Sequence, residues 1–212
     1  MSASPVSADN VDAAVHSAIA MLRRAEADAW DYRAGRLKWT CRETVEHIAD
    51  GLFFYAAQLG PRTPPLEGQV PFAVATRRSG GPALAVSADR SAGTDGLLLV
   101  LESSAALLSA MVRTSPRLLR AHHSVGVTDP EGFAAMGVVE ILVHSHDMAE
   151  GLGLDWNPSA DLCDRVLARL FPDAPKDADP WPALLWSTGR IALPGRPRRT
   201  GWHWSPAPVD RS

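Results

Sequence analysis

Glu140 and His144 stand four residues apart in the run Gly137-Val-Val-Glu-Ile-Leu-Val-His-Ser-His-Asp147. On a helix turning about 100° per residue, that spacing stacks a carboxylate and an imidazole on one face. His146 points roughly to the opposite side, whereas Asp147 returns close to the Glu140 direction, so only His144 can share the Glu140 site. Ala134-Ala-Met-Gly-Val-Val139 precedes the carboxylate and Ile141-Leu-Val143 follows it, which is not the sequence of a solvated face. A charge inside such a segment needs a partner or a metal. A Glu and a His at helical spacing supply half or more of a divalent metal site, and the rest must come from elsewhere in the fold. His47 is the best candidate for that third ligand. The plainer alternative is a carboxylate and an imidazole that only hydrogen-bond to each other in a core.

These residues need helices to position them, and the sequence marks where helices begin and end. A first helix is expected over residues 9–30, with Val11, Val15, Ala18, Leu22, Ala25 and Ala29 on one stripe. Thr40 and Glu43 form a capping box for a second helix, which carries His47 about two turns in, on the face of Thr44 and Gly51. Gly51, one turn past His47, leaves room for a ligand. Pro61-Arg-Thr-Pro-Pro65 ends that helix and opens an irregular connection to about residue 93. Two short strands, 72–76 and 83–87, are expected there about the turn Ser79-Gly-Gly-Pro82, with Arg77 and Arg78 solvated.

A third helix is expected over 94–114, followed by a loop whose adjacent His122 and His123 are read as exposed and outside the metal set. Asp129-Pro130 starts the helix bearing Glu140 and His144, which should end near Gly151 or Gly153. Asn157-Pro158 starts a fifth helix ending before Pro172, and a short sixth covers 182–187. The Gly- and Pro-rich end is too aromatic for a discarded tail, so Trp202 and Trp204 should dock on the helices.

At 212 residues the chain reads as one domain, 1–212, in which 172–212 is an extension packed on the helices. A net charge of -3 gives no basic footprint for nucleic acid. Two cysteines make no disulfide framework and sit in no zinc-finger spacing. With no signal-like N-terminus and no long uninterrupted apolar run, a cytoplasmic protein away from the membrane is expected.

Trp39-Thr40-x-x-Glu43-x-x-x-His47, Glu140-x-x-x-His144-x-x-Asp147, Leu184-Leu-Trp-x-x-Gly-Arg190 and the Gly201-Trp-x-Trp204 ending together resemble the DinB-like superfamily. Within it, the chain is most similar to short members of the actinobacterial mycothiol-dependent maleylpyruvate isomerase group, over essentially its whole length. The resemblance implies an all-α fold, a DinB-like four-helix bundle in up-up-down-down order, and a divalent metal held by His47, Glu140 and His144. Two histidines and one carboxylate leave coordination positions open, as catalytic zinc does, and the set also suits nickel or iron. Asp147 could fix the tautomer of a ligand histidine. Arg190, with the Arg196, Arg198 and Arg199 cluster, and Tyr55 are candidates for binding a thiol or substrate.

A thiol beside a divalent cation loses its proton readily and can attack an electrophilic carbon, so S-transfer to a small electrophile, or its isomerisation, is the expected activity. Mycothiol as co-substrate is implied by the resemblance alone. Longer members carry a further C-terminal domain that this chain does not contain, so the isomerase activity itself is not carried over. Metal-dependent hydrolysis and a non-catalytic metal- or ligand-binding bundle are the alternatives, with homodimerisation left open.

Overall fold

A computed structural model of the protein describes residues 4–208, so the first three and last four residues of the expected 1–212 unit lie outside the description. The described chain is mostly helical, with two small two-stranded sheets. α1 spans Ala8–Leu22, α2 Cys41–Leu59, α3 Gly93–Thr114, α4 Pro130–Leu152, α5 Ala160–Leu170 and α6 Pro180–Ser187.

The caps read from sequence set several boundaries. Thr40 accepts from the Glu43 amide while Glu43 reaches back to the Thr40 amide, which fixes the start of α2. Asp129 accepts from the Gly132 amide at 2.7 Å ahead of Pro130, and Gly153 closes α4 in the left-handed conformation at φ 66°. α1 is shorter than its periodicity suggests. It stops at Leu22, and a 3-10 turn at Ala29–Asp31 then turns Trp30 into the core, where it is 3% exposed. Burial of one large aromatic outweighs the helix-forming character of residues 23–28.

Contacts at the helix ends give the chain direction. Glu131, at the start of α4, accepts from the Val6 amide just before α1, and Arg113, near the end of α3, pairs with Asp9 and Asp12 of α1. Gln58, near the end of α2, donates to the His122 carbonyl in the segment leading to α4. At the opposite end, Cys41 of α2 lies against the Met148 carbonyl of α4. α1 and α4 therefore run one way and α2 and α3 the other, which corrects the up-up-down-down order.

The cause is the long 60–92 connection, which is tied back toward the start of α2. Arg77 pairs with the buried Glu46 at 3.0 Å, Arg78 with Glu43, and Asp50 accepts from the Ala85 and Val86 amides, both at 2.7 Å. Arg77 and Arg78 are thus exposed to solvent, as expected, and also paired with carboxylates of α2. The expected strands shrink to β1, Ala75–Thr76, and β2, Ala83–Leu84; beyond β2, Asp50 of α2 takes the Ala85 and Val86 amides, and before β1 the Phe72 amide turns to the Val70 carbonyl.

The loop before α4 is a hairpin of β3, Ala121–His123, and β4, Gly126–Thr128. The segment Arg90–Thr114, containing α3, is long and apolar enough to cross a membrane by composition, yet its helix packs against α1, α2 and α4. α5 packs on α4 and α6, and Trp204 of the tail is buried.

Candidate metal centre

Glu140 and His144 are positioned by α4, and His47 by α2, whose opposed axes bring the three tips together. The helices pack closely at Gly137, where the neighbouring atoms are side-chain methyls. A Cβ at that position would lie 2.7 Å from a Leu108 methyl and 2.9 Å from a Leu52 methyl. Glu140 Oε2 lies 3.1 Å from His144 Nε2 and 3.7 Å from His47 Nε2, and the two imidazoles meet edge-on with centroids 5.2 Å apart. One ligand atom from each residue lies within 4.8 Å of the others.

Ligands about 2.0–2.1 Å from a tetrahedral cation are separated by about 3.3 Å, so these edges bracket the spacing of a shared ion. Donor chemistry also fits, because two imidazoles and one carboxylate suit zinc, iron or nickel and leave positions open. The group could hold a metal ion.

The surroundings orient the donors. Asp147 Oδ2 lies 3.0 Å from His144 Nδ1, which leaves His144 Nε2 facing the cluster. Arg190 clamps the same carboxylate from behind, with Nη2 2.8 Å from Oδ2 and Nε 3.3 Å from Oδ1. Burial pushes the Asp147 carboxyl up, but its hydrogen bonds to His144 and Arg190 bring it below the ordinary value. For His144, burial acts downward and is outweighed by Asp147 and Glu140, so the imidazole moves up. For Glu140, burial acts upward and is outweighed by His144 and His47, so the carboxyl lies well below the usual range. The two imidazoles thus hold the carboxylate ionised.

The cluster is open on one side. The His47 side chain is 31% exposed, against 9% for His144, and the Trp39 ring lies over His47 at 4.5 Å between centroids. His146 turns away from the cluster toward Trp181 and Glu150.

Of the other expected site residues, Arg190 is engaged by Asp147 and lines a cavity of about 180 Å³ with Arg36, His146, Arg198 and Trp202, behind the metal set rather than on its open side. Tyr55 packs its ring on His123 and Phe133, and its hydroxyl makes no hydrogen bond among the described residues. Burial, then the Glu140 charge, raises its pKa well above 10, so the phenol stays protonated as a donor. A larger cavity of about 510 Å³ lies between α5 and α6 and shares no residue with the cluster.

His123 differs from its expected exposure. The β3–β4 hairpin buries it to 7% against Tyr55, Phe133 and Trp204, and Nδ1 accepts from the Val125 amide at 3.3 Å. Its signal in the sequence is the alternation through Ala121-His-His-Ser-Val-Gly-Val-Thr128, which places His123 on the inner face with Ala121. Both cysteines are buried, with thiols pushed up by burial to about 11 for Cys41 and about 12 for Cys163. Neither is a nucleophile near neutral pH.

No family model, curated protein or solved structure matches the chain. The fold and the site therefore define its class by themselves: a mostly helical protein whose second and fourth helices bring together a two-histidine, one-carboxylate group able to hold a metal ion.

Proposed function

We propose that the protein is a metal-dependent enzyme of the DinB-like, maleylpyruvate isomerase-related kind, in which α1–α4 form the four-helix bundle and His47, Glu140 and His144 hold a divalent cation. Zinc is the first choice by donor set, with nickel or iron next. The supporting observation is the three-sided cluster, backed by Asp147 and Arg190 on its buried side and exposed at His47 on the other. A divalent cation held by His47, Glu140 and His144 would supply Lewis acidity, lowering the pKa of a small thiol or water and polarising an electrophile.

The chain's own groups bind, orient and exclude water. Asp147 holds the His144 ring through Nδ1, Arg190 keeps Asp147 in place, and the protonated Tyr55 phenol is a hydrogen-bond donor in the field of Glu140. Because Cys41 and Cys163 are buried and protonated, a reacting thiol must come from a small molecule. S-transfer from a low-molecular-weight thiol of the mycothiol type to a small electrophile, or thiol-assisted isomerisation, is the reaction this supports best. The protein acts in the cytoplasm on small molecules, without nucleic acid or membrane.

Elemental analysis of purified protein should find about one divalent cation per chain. His47→Ala and His144→Ala should each lose most of it while keeping the helical circular dichroism spectrum. Turnover of small electrophiles should require added mycothiol. Equal turnover without thiol would reassign the centre to hydrolysis, and unchanged metal content in either variant would remove that residue from the ligand set.

A further inference from the structure

α2 is buried around most of its circumference, and its more open stripe starts at a cluster ligand. His47, Gly51 and Phe54 follow one another along the stripe. Gly51 contributes no side chain, and a Cβ built there would have nothing within 4 Å. Two turns past His47 an aromatic wall rises. Phe72, from the 60–92 connection, meets Phe54 edge-on at 5.7 Å and Phe53 at 5.1 Å, and remains 41% exposed. Trp39 closes the other end over His47. The helical rise puts Gly51 about 6 Å and Phe54 about 10 Å along the axis from His47.

This is an open ledge with aromatic walls, continuous with the exposed side of the metal set. Past His47 the stripe and the Phe72 wall carry no charged side chain, and the carboxylates beside them, Asp50 and Glu140, are negative, so an anionic substituent there would lose water without gaining a partner. An aromatic or aliphatic group would bury apolar surface against ring edges.

We infer that the ledge over Gly51 is the acceptor subsite of the metal centre and takes the aryl or apolar part of a ligand whose donor atom occupies an open metal position. The inference rests on the metal reading and narrows it. The substrate class becomes small electrophiles carrying an apolar, preferably aromatic, substituent close to the coordinating atom.

The test uses cobalt-substituted protein, with the visible bands of the bound ion reporting titration by imidazole and by 1-benzylimidazole, each affinity corrected for that ligand's binding to free cobalt. Wild type should bind 1-benzylimidazole about tenfold more tightly than imidazole, as expected for burying one phenyl ring. Gly51→Leu, which fills the ledge, should leave imidazole affinity unchanged and reduce the preference to about twofold or less. Phe72→Ala should reduce it at least about threefold. Equal affinities in wild type, or a preference that survives both substitutions, would overturn the subsite while leaving the metal centre in place. Absence of protein-bound cobalt bands would instead overturn the metal reading on which the ledge depends. A wild-type dimer that Phe72→Ala dissociates would assign the ledge to a second copy and also overturn the proposal.

Discussion

Asp147 shows how much of the site depends on a residue that need not touch the metal. It holds His144 at 3.0 Å and is itself held by Arg190 at 2.8 Å. Removing such an orienting partner typically weakens a metal site by about 10–100-fold. Asp147→Asn should therefore bind zinc more weakly by that factor in competition with a chromophoric chelator, with the thermal midpoint of the metal-free protein moving much less than the affinity. Unchanged affinity would mean that packing alone orients the ring.

His123 allows a pH prediction at the same scale. Burial, opposed in part by the Glu140 charge, lowers its pKa to about 4, against about 6.5 in the unfolded chain. The folded protein keeps this imidazole neutral while the unfolded chain takes up a proton below about pH 6.5. The stabilisation is therefore complete above pH 6.5 and is lost as pH falls toward 4. Between pH 7 and pH 5 the expected loss is about 2 kcal/mol. Urea unfolding of wild type and His123→Phe at both pH values would check it, because the variant should lose less stability over the interval. Parallel losses would show that His123 titrates normally.

At the scale of elements, two glycines of α4 lie close to their neighbours, and only one of them faces backbone. A Cβ at Gly137 would meet only the terminal methyls of Leu108 and Leu52, which can swing aside. A Cβ at Gly151 would collide with the Arg33 carbonyl oxygen, in the backbone of the segment leading to Trp39 and Thr40. Replacing a helical glycine by alanine gains about 1 kcal/mol of propensity. Gly137→Ala should thus be nearly neutral, whereas Gly151→Ala should destabilise by about 1–3 kcal/mol and alter Trp39 fluorescence. Chemical denaturation of both variants would check the order, and a Gly151→Ala variant as stable as wild type would show that the 32–40 segment is free to move.

At the scale of the whole molecule, the C-terminal extension is tied into the helical core. The Ser205 amide donates to the Leu170 carbonyl at 2.8 Å, and Trp204 packs on His123 and Trp202. Truncating a buried tryptophan costs about 3–5 kcal/mol. Trp204→Ala should lower stability by about that amount and loosen the β3–β4 hairpin, which hydrogen exchange at His123 and Thr128 would report. Wild-type protection there would make the tail a passenger.

What could be read without coordinates was local. The Thr40–Glu43 capping box, the Asp129-Pro130 start and the Glu140/His144 spacing depend on side chains a few residues apart, whose geometry the helix itself dictates. Other features depended on partners distant in the chain. Arg77 and Arg78 look like unpaired charges until Glu46 and Glu43 of α2 meet them, His123 looks like a loop histidine until a hairpin and Trp204 cover it, and helix direction follows from where the 60–92 connection is anchored. The sequence by itself determined which side chains could share a helical face. Only the tertiary structure decided that His47 meets Glu140 and that Arg190 serves Asp147, because a pairing across about ninety or forty residues is selected by packing the whole core and not by any local preference.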